Sequence, residues 1–155
     1  MKRVLCAATA GLLAVAAITV GASAGPIAPG EVKIDDGKIT ASLTGQPGSA
    51  VKGREWFANR KLGNCLACHS NSDMAKEEQF HGEVAPSLDG VADRWDEAQL
   101  RAIVVNAKQA LNPDTLMPAF YRDSGYTRPL KDFEGKAILN AEQVEDIVAY
   151  LKTLK

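Results

Sequence analysis

Five consecutive residues, Cys65-Leu66-Ala67-Cys68-His69, constrain this 155-residue chain more than anything else in it. A Cys-x-x-Cys-His run suits covalent attachment of a c-type haem. One helical turn presents two thiols to the two vinyl edges of the ring, and the next residue is then held under the iron. Two other chemistries share the spacing. A redox-active pair would use Cys65 and Cys68 and leave the adjacent histidine without a role. A zinc site could draw on Cys65, Cys68, His69 and His81, with no second cysteine pair to complete it. Only the haem reading employs all five positions, so one covalent haem c is expected, with Cys65 and Cys68 as the thioether positions and His69 as an iron ligand.

The N-terminus agrees with that reading. Lys2 and Arg3 precede an almost wholly apolar run over residues 4–20, and Ala22-Ser23-Ala24 offers small residues for cleavage, the pattern of a secretory signal. The run is shorter than the ~20 residues of a membrane span, and the chain then turns to Gly25-Pro26. Loss of residues 1–24 takes Lys2 and Arg3 from the 18 basic residues, leaving 16 against 19 acidic ones and a formal charge of −3. No basic patch for nucleic acid remains. Cys6 leaves with the signal and lies too early in it to be a lipidated residue. A periplasmic protein without a membrane anchor is therefore expected, in a compartment where Cys65 and Cys68 have to be used together.

Three divisions follow: a cleaved signal over residues 1–24, an N-terminal arm over 25–49 and an all-α domain over 50–155. In the arm, Val32, Ile34, Ile39 and Leu43 are apolar at alternating positions on either side of Asp36-Gly37, which suggests a small hairpin or extended segment. That arm lies either on its own domain or on a partner. Helices are expected over residues 50–60, 96–110 and from Asn140 to the C-terminus. The last has Asn140 as N-cap and Gln143 three residues on, followed by Val144, Ile147, Val148, Leu151 and Leu154. Gly53 inside the first helix costs about 1 kcal/mol against alanine and so calls for a packing reason. Residues 112–135 contain three prolines and two glycines and read as a long functional loop.

A sixth iron ligand has to come from elsewhere. Met74 lies five residues past His69, too near in sequence to reach the opposite face of the ring. Met117 lies 48 residues past it, in the proline-rich loop and directly before Pro118, which fixes the backbone beside it. A thioether favours ferrous iron and raises the potential. Met117 is the expected ligand, an ordinary core methionine is the competing reading, and His81 is the alternative donor.

The stretch Ala85-Pro86-Ser87-Leu88-Asp89-Gly90, followed by Arg94, resembles class I cytochromes c. The resemblance implies that the Pro86 carbonyl accepts the proximal histidine N–H, that Leu88 packs on the haem and that Arg94 reaches a propionate. It also implies that Gly53 and Phe57 meet Tyr150 and Leu151 of the last helix, giving an all-α class I cytochrome c fold preceded by the arm. Finer features are Ser42-Leu43-Thr44-Gly45-Gln46-Pro47-Gly48, the run from Lys61 through His69, Gln79-Phe80-His81-Gly82 and Met117-Pro118-Ala119-Phe120-Tyr121. Together these resemble the SoxX family, the small monohaem subunit of the SoxAX complex of thiosulfate-oxidising bacteria.

That resemblance implies a periplasmic heterodimer with a SoxA-like cytochrome subunit. The complex would be an L-cysteine S-thiosulfotransferase that joins thiosulfate oxidatively to a cysteine of the carrier protein SoxYZ. This chain would relay the electrons to a small soluble acceptor. It has no spare cysteine and no paired acid and base, so no independent catalysis is expected of it. The alternatives are a free soluble electron carrier and, if the distal side were open, a peroxidase.

Overall fold

The computed structural model describes residues 25–155, so the signal read over residues 1–24 lies outside the described residues. Four α-helices follow one another: α1 (Ala50–Ala58), α2 (Val91–Arg94), α3 (Glu97–Ala110) and α4 (Ala141–Leu151). Among the described residues there is no strand. The helix starts are chemically marked. Ser49 Oγ accepts from the Lys52 amide to open α1, and Asp96 with Gln99 and Asn140 with Gln143 form reciprocal capping boxes on α3 and α4. Helix α2 was not anticipated, since four residues are too few to show a periodicity.

The core is built on the crossing of α1 and α4. A Cβ on Gly53 would lie 1.8 Å from the Asp146 carbonyl oxygen and 2.9 Å from Tyr150 Cβ. The two backbones touch there, and only glycine fits. One turn on, Phe57 meets Tyr150 edge to face with ring centroids 5.5 Å apart. Asp146 rather than Leu151 is thus the near neighbour of Gly53, while Leu151 is buried in the same core. Helix α4 stops at Leu151 instead of running to the C-terminus. Leu154, beyond it, is buried and its carbonyl accepts the Ala92 amide at 3.0 Å, closing the chain end onto α2.

The arm makes no ladder. Asp36 and Gly37 both have positive φ (45° and 70°) and form a two-residue turn, bridged only by Asp35 and Lys38. Beyond that turn the backbone groups go to helices: the Ile39 amide bonds the Ala98 carbonyl at 3.0 Å, and the Leu43 amide bonds Glu145 Oε1 at 2.8 Å. Arg101 grips the same carboxylate with Nε at 2.8 Å and Nη2 at 3.0 Å while Nη1 donates to the Ile39 carbonyl at 2.9 Å. Both charged side chains are only 3% exposed. The arm therefore lies on its own domain, with Ile39 and Leu43 in the core and Val32 and Ile34 packed against it.

The continuous helix expected over residues 96–110 is interrupted. At Asn106 the backbone is extended (φ −158°, ψ 86°), so α3 is two helical pieces joined at a kink.

Candidate functional site

Asn64, in the left-handed region at φ 48°, opens a single 3-10 turn over Cys65–Ala67, and the His69 amide closes onto the Cys65 carbonyl at 3.0 Å. The following loop is stitched back along this turn. The Gly82 amide bonds the Leu66 carbonyl at 2.8 Å, Ala85 that of Cys68 at 2.9 Å, and Leu88 that of Ser70 at 3.0 Å. The approach is close enough that a Cβ on Gly82 would stand 2.1 Å from the Ala67 carbonyl oxygen. These bonds bring the Pro86 carbonyl to 2.7 Å from His69 Nδ1. A carbonyl can only accept, so Nδ1 carries the proton and Nε2 presents its lone pair.

Two further ties hold the loop. The Asp89 carboxylate accepts from the Ser72 amide at 2.8 Å and from Ser72 Oγ at 2.7 Å. The Ser72 hydroxyl and then its amide hold the Asp89 pKa below the ordinary carboxylate value. Arg94 donates from Nη1 to the Asp89 carbonyl at 2.7 Å and from Nη2 to the Ser87 carbonyl at 2.8 Å. It thus clamps the segment just beyond Pro86. Neither tie is visible in the sequence, because serine and aspartate 17 positions apart carry no motif.

Behind the attachment turn lies a polar chain that sequence reasoning also missed. The Asn71 amide donates to His81 Nδ1 at 3.2 Å, Asn71 Nδ2 donates to the Tyr150 hydroxyl at 2.7 Å, and that hydroxyl donates to Asp73 Oδ2 at 2.8 Å. Asp73 is paired in turn with Arg54 at 2.9 Å. His81 Nδ1 is thus engaged as an acceptor, and Met74 is buried in the core at 1% exposure. Asn71 is wholly buried, which a polar residue beside a haem-attachment motif could have signalled.

The donor set fits a covalent haem. Cys65 and Cys68 are unbonded thiols on one turn, and His69 is oriented through its outer nitrogen. Cys65 is only partly covered as a residue, yet its thiol is deep enough for burial to push its pKa up to about 12, which argues against a redox thiolate. Among the described residues no three His, Cys, Asp or Glu side chains converge on a metal-sized point, so the zinc arrangement of Cys65, Cys68, His69 and His81 is not assembled.

The loop that carries Met117 packs close to the attachment turn. Met117, Leu88 and Cys65 are all partly buried and packed against the main core. A Cβ on Gly63 would stand 3.2 Å from Cys65 Sγ and 4.0 Å from Phe120 Cε1, so the attachment turn and the Met117 loop meet across Gly63. The Phe120 amide bonds the Val104 carbonyl at 3.4 Å and the Tyr121 amide bonds that of Val105 at 3.1 Å. The Tyr121 hydroxyl reaches the Ile27 carbonyl of the arm at 2.6 Å.

The chain belongs to the cytochrome c family: the family model described as Cytochrome c matches residues 50–155. Its fold is the all-α class I cytochrome c fold, and its cofactor is a covalent haem c with iron. A chain in the crystal structure of SoxXA from P. pantotrophus is 48% identical to it, with a TM-score of 0.77 over 84% of this chain and 98% of that one. Within the cytochromes c, this chain belongs with SoxX. A search of curated proteins found no match.

Proposed function

We propose that this chain is the electron-relay subunit of a periplasmic SoxAX-type L-cysteine S-thiosulfotransferase, partnered by a SoxA-like cytochrome and serving a SoxYZ-like carrier. The observation that carries the reading is the 48% identity across nearly the whole of a SoxXA chain. Joining thiosulfate to a carrier thiol makes one S–S bond and releases one proton and two electrons. When bound, the haem would supply a one-electron couple able to carry those electrons onward.

The chain's own residues set the conditions for that transfer. Cys65 and Cys68 would hold the ring covalently, and His69 and Met117 would ligate its iron. The bond from His69 Nδ1 to the Pro86 carbonyl makes the imidazole a stronger donor and fixes its plane. Leu88 would pack on the ring. Arg94 uses two donors on the Ser87 and Asp89 carbonyls, and a guanidinium has five, so it retains donors for a propionate.

Affinity purification of the tagged chain from its own periplasm tests the assignment. The expected result is a stable complex with a second, larger cytochrome, identified by mass spectrometry. A single small species on size exclusion would instead make the chain a free electron carrier.

A further inference from the structure

We propose that the break in α3 at Asn106 positions the Met117 loop, and so holds the second axial ligand on the iron; this rests on Met117 being that ligand. In a helix carried through residue 106, the Val104 and Val105 carbonyls would close onto amides four residues further on. Here the backbone at Asn106 is extended, and those carbonyls accept from the loop amides of Phe120 at 3.4 Å and Tyr121 at 3.1 Å. From that anchor the loop is tied onward. The Phe120 carbonyl accepts the Leu139 amide at 3.0 Å, the Tyr126 hydroxyl donates to the Ala119 carbonyl, and Ala119, Phe120 and Tyr121 are all buried. Met117 stands three residues before Phe120, with the rigid Pro118 between them, so fixing Phe120 and Tyr121 leaves Met117 little freedom.

The backbone, not the side chain, is the working part. Asn106 is 6% exposed and its Oδ1 has no hydrogen-bond partner, so the amide group does not itself grip the loop. What asparagine contributes is a poor helix propensity at the point where the helix has to open. Alanine, the best helix former, would favour closing it, whereas glycine would leave the break accessible.

The test uses holoprotein with Asn106→Ala, Asn106→Gly and Met117→Ala. The readouts are the far-red absorption of methionine-ligated ferric haem and the affinity of the ferric protein for added imidazole, with helicity checked by circular dichroism. Asn106→Ala should weaken the far-red band and bind imidazole about threefold more tightly, the factor expected from the alanine–asparagine propensity difference. Asn106→Gly should stay close to the native protein in both. Equal effects of alanine and glycine would overturn the proposal, because the side chain rather than the break would then matter. A native-like Asn106→Ala would overturn it as well. If Met117→Ala keeps the far-red band, the ligand assignment fails first, and this inference falls with it.

Discussion

On the His69 side of the site, the bonds that fix the ligand join residues at most 18 apart: His69 to Pro86, Ser72 to Asp89, and the amides of Gly82, Ala85 and Leu88 to the attachment turn and the residues just after it. On the Met117 side, the loop hangs on carbonyls of α3, on the amide of Leu139 and, through Tyr121, on Ile27 of the arm, 94 residues away. Closing a loop of 94 rather than 18 residues costs only about 1.5 kcal/mol more in chain entropy. The Met117 side nevertheless requires the whole fold to be in place, whereas the bonds that set Pro86 against His69 lie within one segment, anchored to the rest of the fold through Asn71 and Tyr150. Loosening any one of those distant anchors frees the Met117 loop, whereas His69 stays beside the attachment at Cys68, so the Met117 side is expected to let go first.

The largest expected effect comes from removing the attachment chemistry altogether. Cys65→Ala or Cys68→Ala should cut the yield of holoprotein severely, and the apoprotein should be mostly unfolded by circular dichroism. A bound haem is a large share of what so small a core packs against, and ligand binding to the native state stabilises it by mass action. A folded, stable apoprotein would show that the polypeptide bonds described above hold the helices unaided.

A smaller effect should separate the two sides. Glu145→Ala leaves the buried Arg101 with Glu97 as its one carboxylate partner, at 2.8 Å, and releases the Leu43 amide, so stability should fall by about 3 kcal/mol in denaturant titrations. The arm would loosen, and with it the Ile27 carbonyl that holds Tyr121. In that variant the far-red methionine band should fade at lower denaturant than helical circular dichroism does. Coincident transitions would mean that the two sides open as one unit and would break the comparison.

The smallest effect concerns the proximal loop and acid. The Asp89 pKa is lowered in the folded protein, chiefly by the Ser72 hydroxyl and then by its amide, from an ordinary value of 3.8. A carboxylate with a depressed folded-state pKa adds stability above its unfolded pKa and loses it as pH falls through the folded value. Because Asp89 is solvent-exposed, the contribution should be well under ~1 kcal/mol. Asp89→Asn should therefore melt slightly lower at neutral pH and lose less melting temperature as the pH falls below about 4. An unchanged pH profile would remove Asp89 from the set of ties that hold Pro86 over His69.

Much of the helical domain was legible residue by residue. Asn140 with Gln143 announced the start of α4, Gly53 asked for a close backbone crossing and has one at Asp146, and the run from Cys65 to His69 dictated the cofactor chemistry. The helix start and the attachment run lie within a few positions of the structure they produce, whereas the partner that Gly53 meets lies on another helix. The arm shows where that stops. Its alternating apolar residues and Asp36-Gly37 turn suggested a hairpin, but the amides of Ile39 and Leu43 found partners on α3 and α4.

Arg101 and Glu145 sit on the core-facing sides of their helices, and a charge in such a place requires a partner. Nothing along the chain says which partner, because the two are 44 residues apart. The break at Asn106 is of the same kind: residues 96–110 read as one continuous helix, and the loop amides that use its freed carbonyls come from residues 120 and 121. By itself, then, the sequence determined the haem attachment, the helix starts and the need for a close-packed glycine, since those depend on covalent spacing and on neighbours one turn away. Only the tertiary structure decided where the arm lies, which buried charges pair and how the Met117 loop is held, because each depends on backbone groups and charges finding partners that the linear order does not place beside them.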